Sequence, residues 1–155
     1  MADVKEIRIS PVAGEDRDDW LELWQQWQAH MHGEVPETVS LSSWTRFLAP
    51  ASGLHCLIAR NTGGGALGFA TVGLTPFAWT ATDVAFLQDL YVSEPARGQG
   101  IGSLLLKGVY DLADKSGATQ VFWMVDEKDS ELQDFYARHA IRTPYLRYMR
   151  RPWPW

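Results

Sequence analysis

Apolar and charged residues alternate at the start of the chain and then change to a helical spacing. Residues 4–9 alternate at every second position and the pattern closes at Pro11, which predicts a short half-buried strand. Over 16–31 the apolar residues recur at steps of three and four, so we expect a helix of about four turns there. A second, shorter helix is predicted over 40–48 or 42–48, because Pro36 and Pro50 bound the segment.

The rest of the chain predicts strands on both sides of one long helix. Strands over 54–60 and 66–74 are joined by a glycine-rich hairpin link, and a third strand follows over 84–92. The later elements are a helix from Ile101 to a stop at Gly117, a strand over 119–125, a helix over 132–139 and a strand over 145–150.

This order of elements predicts an α/β (α+β) fold in a single domain over 1–155. The sheet is expected to be mixed and mostly antiparallel, with six or seven strands, about four helices and a central β-α-β crossover. Residues 152–155, Pro-Trp-Pro-Trp, are expected to form a tail, because proline does not continue a sheet interior.

Composition and charge narrow the classes of function. A net charge of −5 and a pI near 5.3 argue against binding nucleic acid through a broad basic face. The chain has no apolar run of about 18 residues and no signal-peptide pattern, so we expect a cytoplasmic protein without a membrane partner. Cys56 is interpreted as a buried structural thiol, with a reactive thiol as the alternative, and the histidines lack the spacing of a metal site.

A glycine-rich turn between the third strand and the long helix carries the clearest chemical signal. Glycine backbone approaches phosphate oxygens closely, and a helix N-terminus offers unpaired N–H groups and a favourable dipole. The spacing matches neither the dinucleotide fingerprint nor the nucleoside-triphosphate loop. We interpret the turn as a pyrophosphate cradle, with a tight turn that binds nothing as the alternative. Its residues are Arg97, Gly98, Gln99, Gly100, Ile101, Gly102 and Ser103.

The segment Arg97-x-x-Gly100-x-Gly102 resembles the Arg/Gln-x-x-Gly-x-Gly/Ala signature of the GNAT superfamily of acetyltransferases. The strand before it and the Phe-Tyr pair at 135–136 also stand where that family has them. Within the superfamily, the chain is most similar to the group of fungal histone/polyamine and D-amino-acid acetyltransferases, and less closely to diamine acetyltransferase. It departs from the pattern at Asp129, where asparagine is usual, and at Pro144, where a Gly-Phe pair usually begins.

The resemblance implies acetyl-CoA as co-substrate, no metal, and direct attack by an acceptor amine in a ternary complex. It implies that the coenzyme contacts the glycine-rich turn and Asp129. It also implies that the pantetheine arm pairs with the backbone of Leu90, Tyr91 and Val92, and that the protein is a homodimer.

Two residues are candidates for moving protons. The resemblance implies Tyr136 as the acid that protonates the departing thiolate, and a core position is the alternative that the residues alone leave open. Asp89, inside an apolar strand, is a candidate base whose pKa burial raises, with a salt bridge or a cap as the alternative.

The resemblance implies an acceptor side that includes three tryptophans and a glutamine. The indole rings suit cation–π contact with an amine, with core packing as the alternative, and the glutamine suits orienting a substrate or water. These residues are Trp24, Trp27, Trp79 and Gln88. The predicted function is transfer of an acetyl group to a primary amine, with a polyamine or an amino acid as the favoured small-molecule partner. The alternatives are a non-catalytic acyl-CoA-binding or regulatory module and a protein-lysine acetyltransferase.

Overall fold

The computed structural model describes residues 6–150, which fall into two compact units, 6–122 and 123–150. The first unit contains five strands and three α-helices, and the second contains one α-helix. In chain order the elements are β1 (Arg8–Pro11), α1 (Arg17–His30), α2 (Glu37–Phe47), β2 (Leu54–Arg60), β3 (Ala66–Pro76), β4 (Asp83–Val92), α3 (Ile101–Lys115), β5 (Val121–Phe122) and α4 (Ser130–Ala137).

The five strands form one mixed sheet in the order β1-β2-β3-β4-β5. The first three pairings are antiparallel, and β4 pairs with β5 in parallel after the crossover through α3. The mostly antiparallel sheet and the central β-α-β crossover are therefore confirmed. A parallel neighbour needs such a crossover because both strands must run in the same direction.

Helices cover both faces of the sheet. Leu57 of β2 faces α3. Its Cδ1 atom lies 3.2 Å from the position that a Cβ would take on Gly108, which is part of that helix. The next residue, Ile58, belongs instead to the buried cluster that includes α1, as the alternation of a strand requires. Aromatic rings dominate that cluster, and Trp20 stacks on Trp24 with their centroids 5.6 Å apart.

An ion-pair cluster joins the start of α1 to the end of β2. The Nη2 atom of Arg60 lies 2.6 Å from Oδ2 of Asp19 and also contacts Oδ1 of Asp16. The Arg60 and Asp16 side chains are only 13% and 11% exposed, so both charges depend on each other for solvation.

Several element boundaries differ from the predictions. No strand forms over 145–150, where Tyr145 and Tyr148 are 86% and 90% exposed and no sheet edge in the described part of the chain pairs with them. The described residues thus hold five strands where six or seven were predicted. Helix α2 begins earlier, since the amides of Val39 and Ser40 bond to the carbonyl of Pro36, which suits a helix start. The predicted tail and residues 4–5 of the first predicted strand lie outside the described residues.

The second unit is built around α4. The Asp129 carboxylate accepts a hydrogen bond from Leu132 N at 3.0 Å and so caps the first turn of this helix. No helix within 6–150 is long and apolar enough to cross a membrane.

Candidate active site

The glycine-rich turn adopts the backbone conformation that glycine allows most readily. Gly98 and Gly100 have φ values of 76° and 79°, in the left-handed region, and Gly100 is the residue before α3. The first bond of the helical ladder runs from Leu104 N to Gly100 O, so the amides of Ile101 and Gly102 precede that ladder. A Cβ placed on Gly98 would meet no atom within 4 Å, so the space in front of this backbone is open. These features fit a pyrophosphate that lies against the turn.

Strand β4 presents alternate backbone groups to its outer edge. Ser93 N donates to Leu67 O directly across the ladder at 2.9 Å, which makes this a hydrogen-bonded pair. By alternation, Tyr91 is also paired with β3, whereas the N–H and C=O groups of Leu90 and Val92 point away from β3. Of the three residues predicted to pair with the pantetheine arm, Leu90 and Val92 therefore have the suitable backbone orientation.

That outer edge has no strand partner within 6–150 along the second half of β4. Strand β5 pairs with β4 only at Ala85 and Phe86, and no strand within 6–150 continues the pairing beyond them. The carbonyl of Val92 accepts a hydrogen bond from Arg97 Nε at 3.0 Å, and the Arg97 guanidinium lies over the Tyr91 ring. The arginine of the turn thus holds the turn against the end of the strand.

A β-bulge directs two neighbouring polar residues to one face of the sheet. Thr71 pairs with Asp89 and Val72 with Leu87, which leaves Gln88 between them without a partner in β3. Neighbours in a regular strand point to opposite faces, whereas an inserted residue changes that alternation. Gln88 Nε2 lies only 2.7 Å from the position that a Cβ on residue 73 would take, so a side chain there would displace the Gln88 amide from this position.

Gln88 and Asp89 line an open cleft between the sheet and the first two helices. The cleft has about 130 Å³ of free volume. Its lining consists of one acidic residue, one arginine, three uncharged polar residues and four apolar or aromatic ones. They are Trp20 and Trp24 from α1, Ser43, Arg46 and Phe47 from α2, Leu54 from β2, Thr71 from β3, and Gln88 and Asp89 from β4.

Asp89 is the only acid among the described residues that line this cleft. Its Oδ1 accepts a hydrogen bond from Trp27 Nε1 at 2.9 Å. Burial raises the pKa of the Asp89 carboxyl and outweighs the Trp27 and Thr71 contacts, which lower that pKa. A carboxylate with a raised pKa at the end of an open cleft has the properties of a proton acceptor.

Two buried polar side-chain atoms of residues that line the cleft have no hydrogen-bond partner within 6–150. They are Nε1 of Trp20 and Oγ1 of Thr71. The Thr71 hydroxyl is near enough to Asp89 to lower its pKa, but no hydrogen bond between them has acceptable geometry, so the contact is electrostatic. Both atoms are shielded from solvent, so they belong to the packing behind the cleft and not to its accessible surface.

The predicted acceptor residues divide into three that meet at this cleft and one that does not. Trp24 and Gln88 line it, and Trp27 reaches it through its hydrogen bond to Asp89. Trp79 lies in the loop between β3 and β4 with 90% of its surface exposed, and it does not line the cleft.

Three cleft residues on α2 were missed in the sequence. Ser43, Arg46 and Phe47 stand at positions i, i+3 and i+4, which share one face of a helix. That spacing was visible in the sequence. The segment was interpreted only as a short helix bounded by two prolines, so the face that these three residues share was overlooked.

The single cysteine lies in the core beneath the same face. Cys56 is buried, which confirms that part of the prediction. Burial raises the pKa of its thiol well above the usual value, and the charges of Asp89 and Asp16 raise it further. A thiol held protonated in this way is a poor nucleophile.

The second unit holds Tyr136 on α4. Its ring contacts those of Trp123 and Phe135, at centroid distances of 5.1 and 5.2 Å. Burial and the nearby charge of Asp129 raise the pKa of the Tyr136 phenol to about 12. The phenol is therefore protonated throughout the physiological range and is a proton donor there.

Residues 14–140 match the model of the acetyltransferase (GNAT) family. The chain belongs to this family. It is 31% identical over 145 residues to a D-amino-acid N-acetyltransferase from Saccharomyces cerevisiae, covering 93% of this chain and 90% of the relative. It is 34% identical over 119 residues to an aminoglycoside N(6')-acetyltransferase type 1 from Klebsiella aerogenes, covering 72% and 74%. This GNAT protein is an acetyl-CoA-dependent N-acetyltransferase.

Solved structures share the fold of this GNAT acetyltransferase. A probable acetyltransferase superposes with a TM-score of 0.81 at 19% identity, over 92% of this chain and 95% of that one. AAC(6')-Iy, solved with the bisubstrate analogue CoA-S-monomethyl-acetylneamine, superposes with a TM-score of 0.79 at 20% identity, over 94% and 97%. The predicted GNAT fold is confirmed.

Proposed function

We propose that this acetyltransferase acts on the primary amine of a small acceptor that occupies the cleft beside Asp89. One observation carries the proposal: β4 directs Asp89 into the cleft, exposes the backbone edge of Leu90 and Val92, and leads directly into the glycine-rich turn. A single strand thus connects the acceptor side with the coenzyme side.

The coenzyme side is assigned to the turn and the strand edge. The amides of Gly98 to Ser103 would hold the pyrophosphate, and the outer backbone groups of Leu90 and Val92 would hold the pantetheine arm. Acetyl-CoA supplies the activated acetyl group as a thioester. Asp129, which was predicted to contact the coenzyme, is used as the cap of α4 and acts on Tyr136 through its charge.

Asp89 is assigned as the proton acceptor. An alkylammonium of pKa about 10.4 is almost fully protonated at neutral pH, so it must lose a proton before its nitrogen attacks the acetyl carbon. The Asp89 carboxylate takes that proton, directly or through a water, and its raised pKa makes it a better base than an exposed aspartate. Gln88, which lies beside it because of the bulge, orients the amine.

Tyr136 is assigned as the donor to the departing sulfur. As the new C–N bond forms and the C–S bond breaks, negative charge develops on sulfur. Full proton transfer from a phenol of pKa about 12 to a thiolate of pKa about 8.5 is uphill by about 5 kcal/mol. Tyr136 therefore stabilises the sulfur chiefly as a hydrogen-bond donor.

The test is thiol release from acetyl-CoA in the presence of an amine panel, with calorimetric binding of the coenzyme measured in parallel. We expect release that depends on a small amine, and loss of that release in Asp89→Asn with coenzyme affinity retained. Release only with protein substrates would contradict the proposal, and so would coenzyme binding without release for any amine.

We also propose that the protein is a cytoplasmic homodimer that acts without a metal, nucleic acid or membrane. The support is the family resemblance and the acidic net charge of −5. Sedimentation velocity across a range of protein concentrations tests the dimer, and a single species of monomer mass would contradict it.

A further inference from the structure

The charges that line the cleft differ from those expected for a polyamine site. The lining contains one anion, Asp89, and one cation, Arg46. A polyamine carries at least two positive charges, so the second one would meet no acid and would be repelled by the guanidinium. An amine that also carries a carboxylate would have a partner for each charge.

Arg46 has an unused capacity to bind an anion. Its only hydrogen bond in the described part of the chain is from Nη2 to Ser43 Oγ at 3.2 Å, and no carboxylate there forms an ion pair with it. A guanidinium has five N–H donors in a planar fork that matches a carboxylate. Ser43 also lines the cleft, and Arg46 is solvent-exposed, so its guanidinium is accessible at the cleft wall.

The two charged groups belong to different walls of the cleft. Asp89 lies on β4 of the sheet, and Arg46 lies on α2. An acceptor held between the two walls would therefore meet the anion on one side and the cation on the other.

We propose that Arg46 determines acceptor specificity by binding a carboxylate of the acceptor, so that the preferred substrates are amino carboxylates rather than polyamines. This inference rests on the proposed function, because it names the class of amine that the same cleft accepts. The amine lies at Asp89, and the carboxylate lies at Arg46 and Ser43.

The test compares each acid with its amide. We would measure kcat/KM by thiol release for D- and L-alanine, lysine, the corresponding carboxamides and putrescine, using wild type and Arg46→Met. An amino acid and its carboxamide differ in the pKa of their amine, so their kcat/KM values are not directly comparable. The decisive quantity is therefore how the ratio of the two kcat/KM values changes from wild type to Arg46→Met. We expect Arg46→Met to lower kcat/KM for at least one acid about 10- to 100-fold and to leave its amide within about twofold.

Two variants serve as controls. Arg46→Lys keeps the charge without the fork and should recover part of the preference for the acid. Lys107→Met removes a cation from the exposed side of α3, on the opposite face of the sheet, and should leave every ratio unchanged. Coenzyme affinity should equal that of wild type in all three variants.

The possible failures are distinguishable. Thiol release with an unchanged acid-to-amide ratio in Arg46→Met, or a wild type that prefers putrescine to every acid, would overturn this inference alone. A loss of coenzyme affinity in Arg46→Met would also overturn it, because the arginine would then serve the coenzyme. Coenzyme binding without release for any acceptor, amides and putrescine included, would overturn the proposed function itself.

Discussion

Replacing Gly98 by alanine tests the coenzyme assignment with little disturbance of the protein. A Cβ on Gly98 would meet no protein atom within 4 Å, so the substitution creates no clash. The φ of 76° is left-handed, and an L-residue there costs about 1–2 kcal/mol. For a chain of this size, that loss lowers Tm by about 2–8 °C. The methyl group would occupy the open space that we assign to the pyrophosphate.

Gly64 provides the matched control. It lies in the β2–β3 link with a φ of 84°, and a Cβ there would likewise meet nothing within 4 Å. Gly64→Ala should therefore lower Tm by a similar amount through the same backbone strain. The two variants differ only in whether the added methyl group faces the assigned coenzyme site.

The assay is calorimetric binding of acetyl-CoA together with thermal melting in the presence and absence of the coenzyme. Loss of one hydrogen bond to a charged phosphate corresponds to about 1.5–3 kcal/mol, or roughly 10- to 100-fold in Kd. We expect that loss in Gly98→Ala and wild-type affinity in Gly64→Ala. Equal coenzyme affinity in the two variants would refute the assignment of the turn.

Three further predictions concern the acid–base residues and the fold. Asp89→Asn should reduce kcat/KM by at least about 100-fold without lowering the free energy of unfolding at neutral pH, because burial disfavours the ionised carboxyl. The pKa of Asp89 in the folded protein is raised above 3.8, the value for the unfolded chain. Ionisation of Asp89 therefore lowers the stability of the wild type as pH rises from 3.8 through the folded pKa. Thermal melts of Asp89→Asn should lack this loss of stability. Tyr136→Phe should lower kcat with coenzyme affinity intact. Because the pKa of the Tyr136 phenol is about 12, its ionisation should not reduce the wild-type rate below about pH 11. A fall in the wild-type rate near pH 9 that the phenylalanine variant lacks would contradict this prediction. Arg60→Met should lower the free energy of unfolding, measured in urea, by about 3–5 kcal/mol, because it leaves the Asp16 carboxylate buried without its partner. As a control, Lys107→Met removes the exposed ion pair with Asp111 and should change the free energy of unfolding by less than about 0.5 kcal/mol.

The glycine-rich turn and its neighbours were predictable because their signals are local. The turn joins a strand to a helix, so its glycines, its register and its position before α3 all lie within one short segment. Strands β2 to β4 were also predicted closely, since a glycine-rich hairpin link separates the first two and apolar runs define all three.

The cleft was only partly predictable because its walls come from five separate elements. The bulge at Gln88 depends on the register between β3 and β4, which no single-strand pattern contains. The unpartnered Thr71 hydroxyl likewise reflects its position opposite Asp89. The failure over 145–150 has a similar cause, because the segment was interpreted as a closing strand without asking which edge would pair with it.

The position of Tyr91 has a consequence for engineering this enzyme. Its ring packs against Trp27 on one side and lies beneath the Arg97 guanidinium that holds the coenzyme turn. Mutagenesis of α1 to change the acceptor would therefore also disturb affinity for the acyl donor, and the two traits would be selected together. Within 6–150, Ser43 and Arg46 on the polar face of α2 hydrogen-bond to each other and not to Tyr91 or Arg97. A library restricted to these two positions should therefore change acceptor choice independently of donor binding.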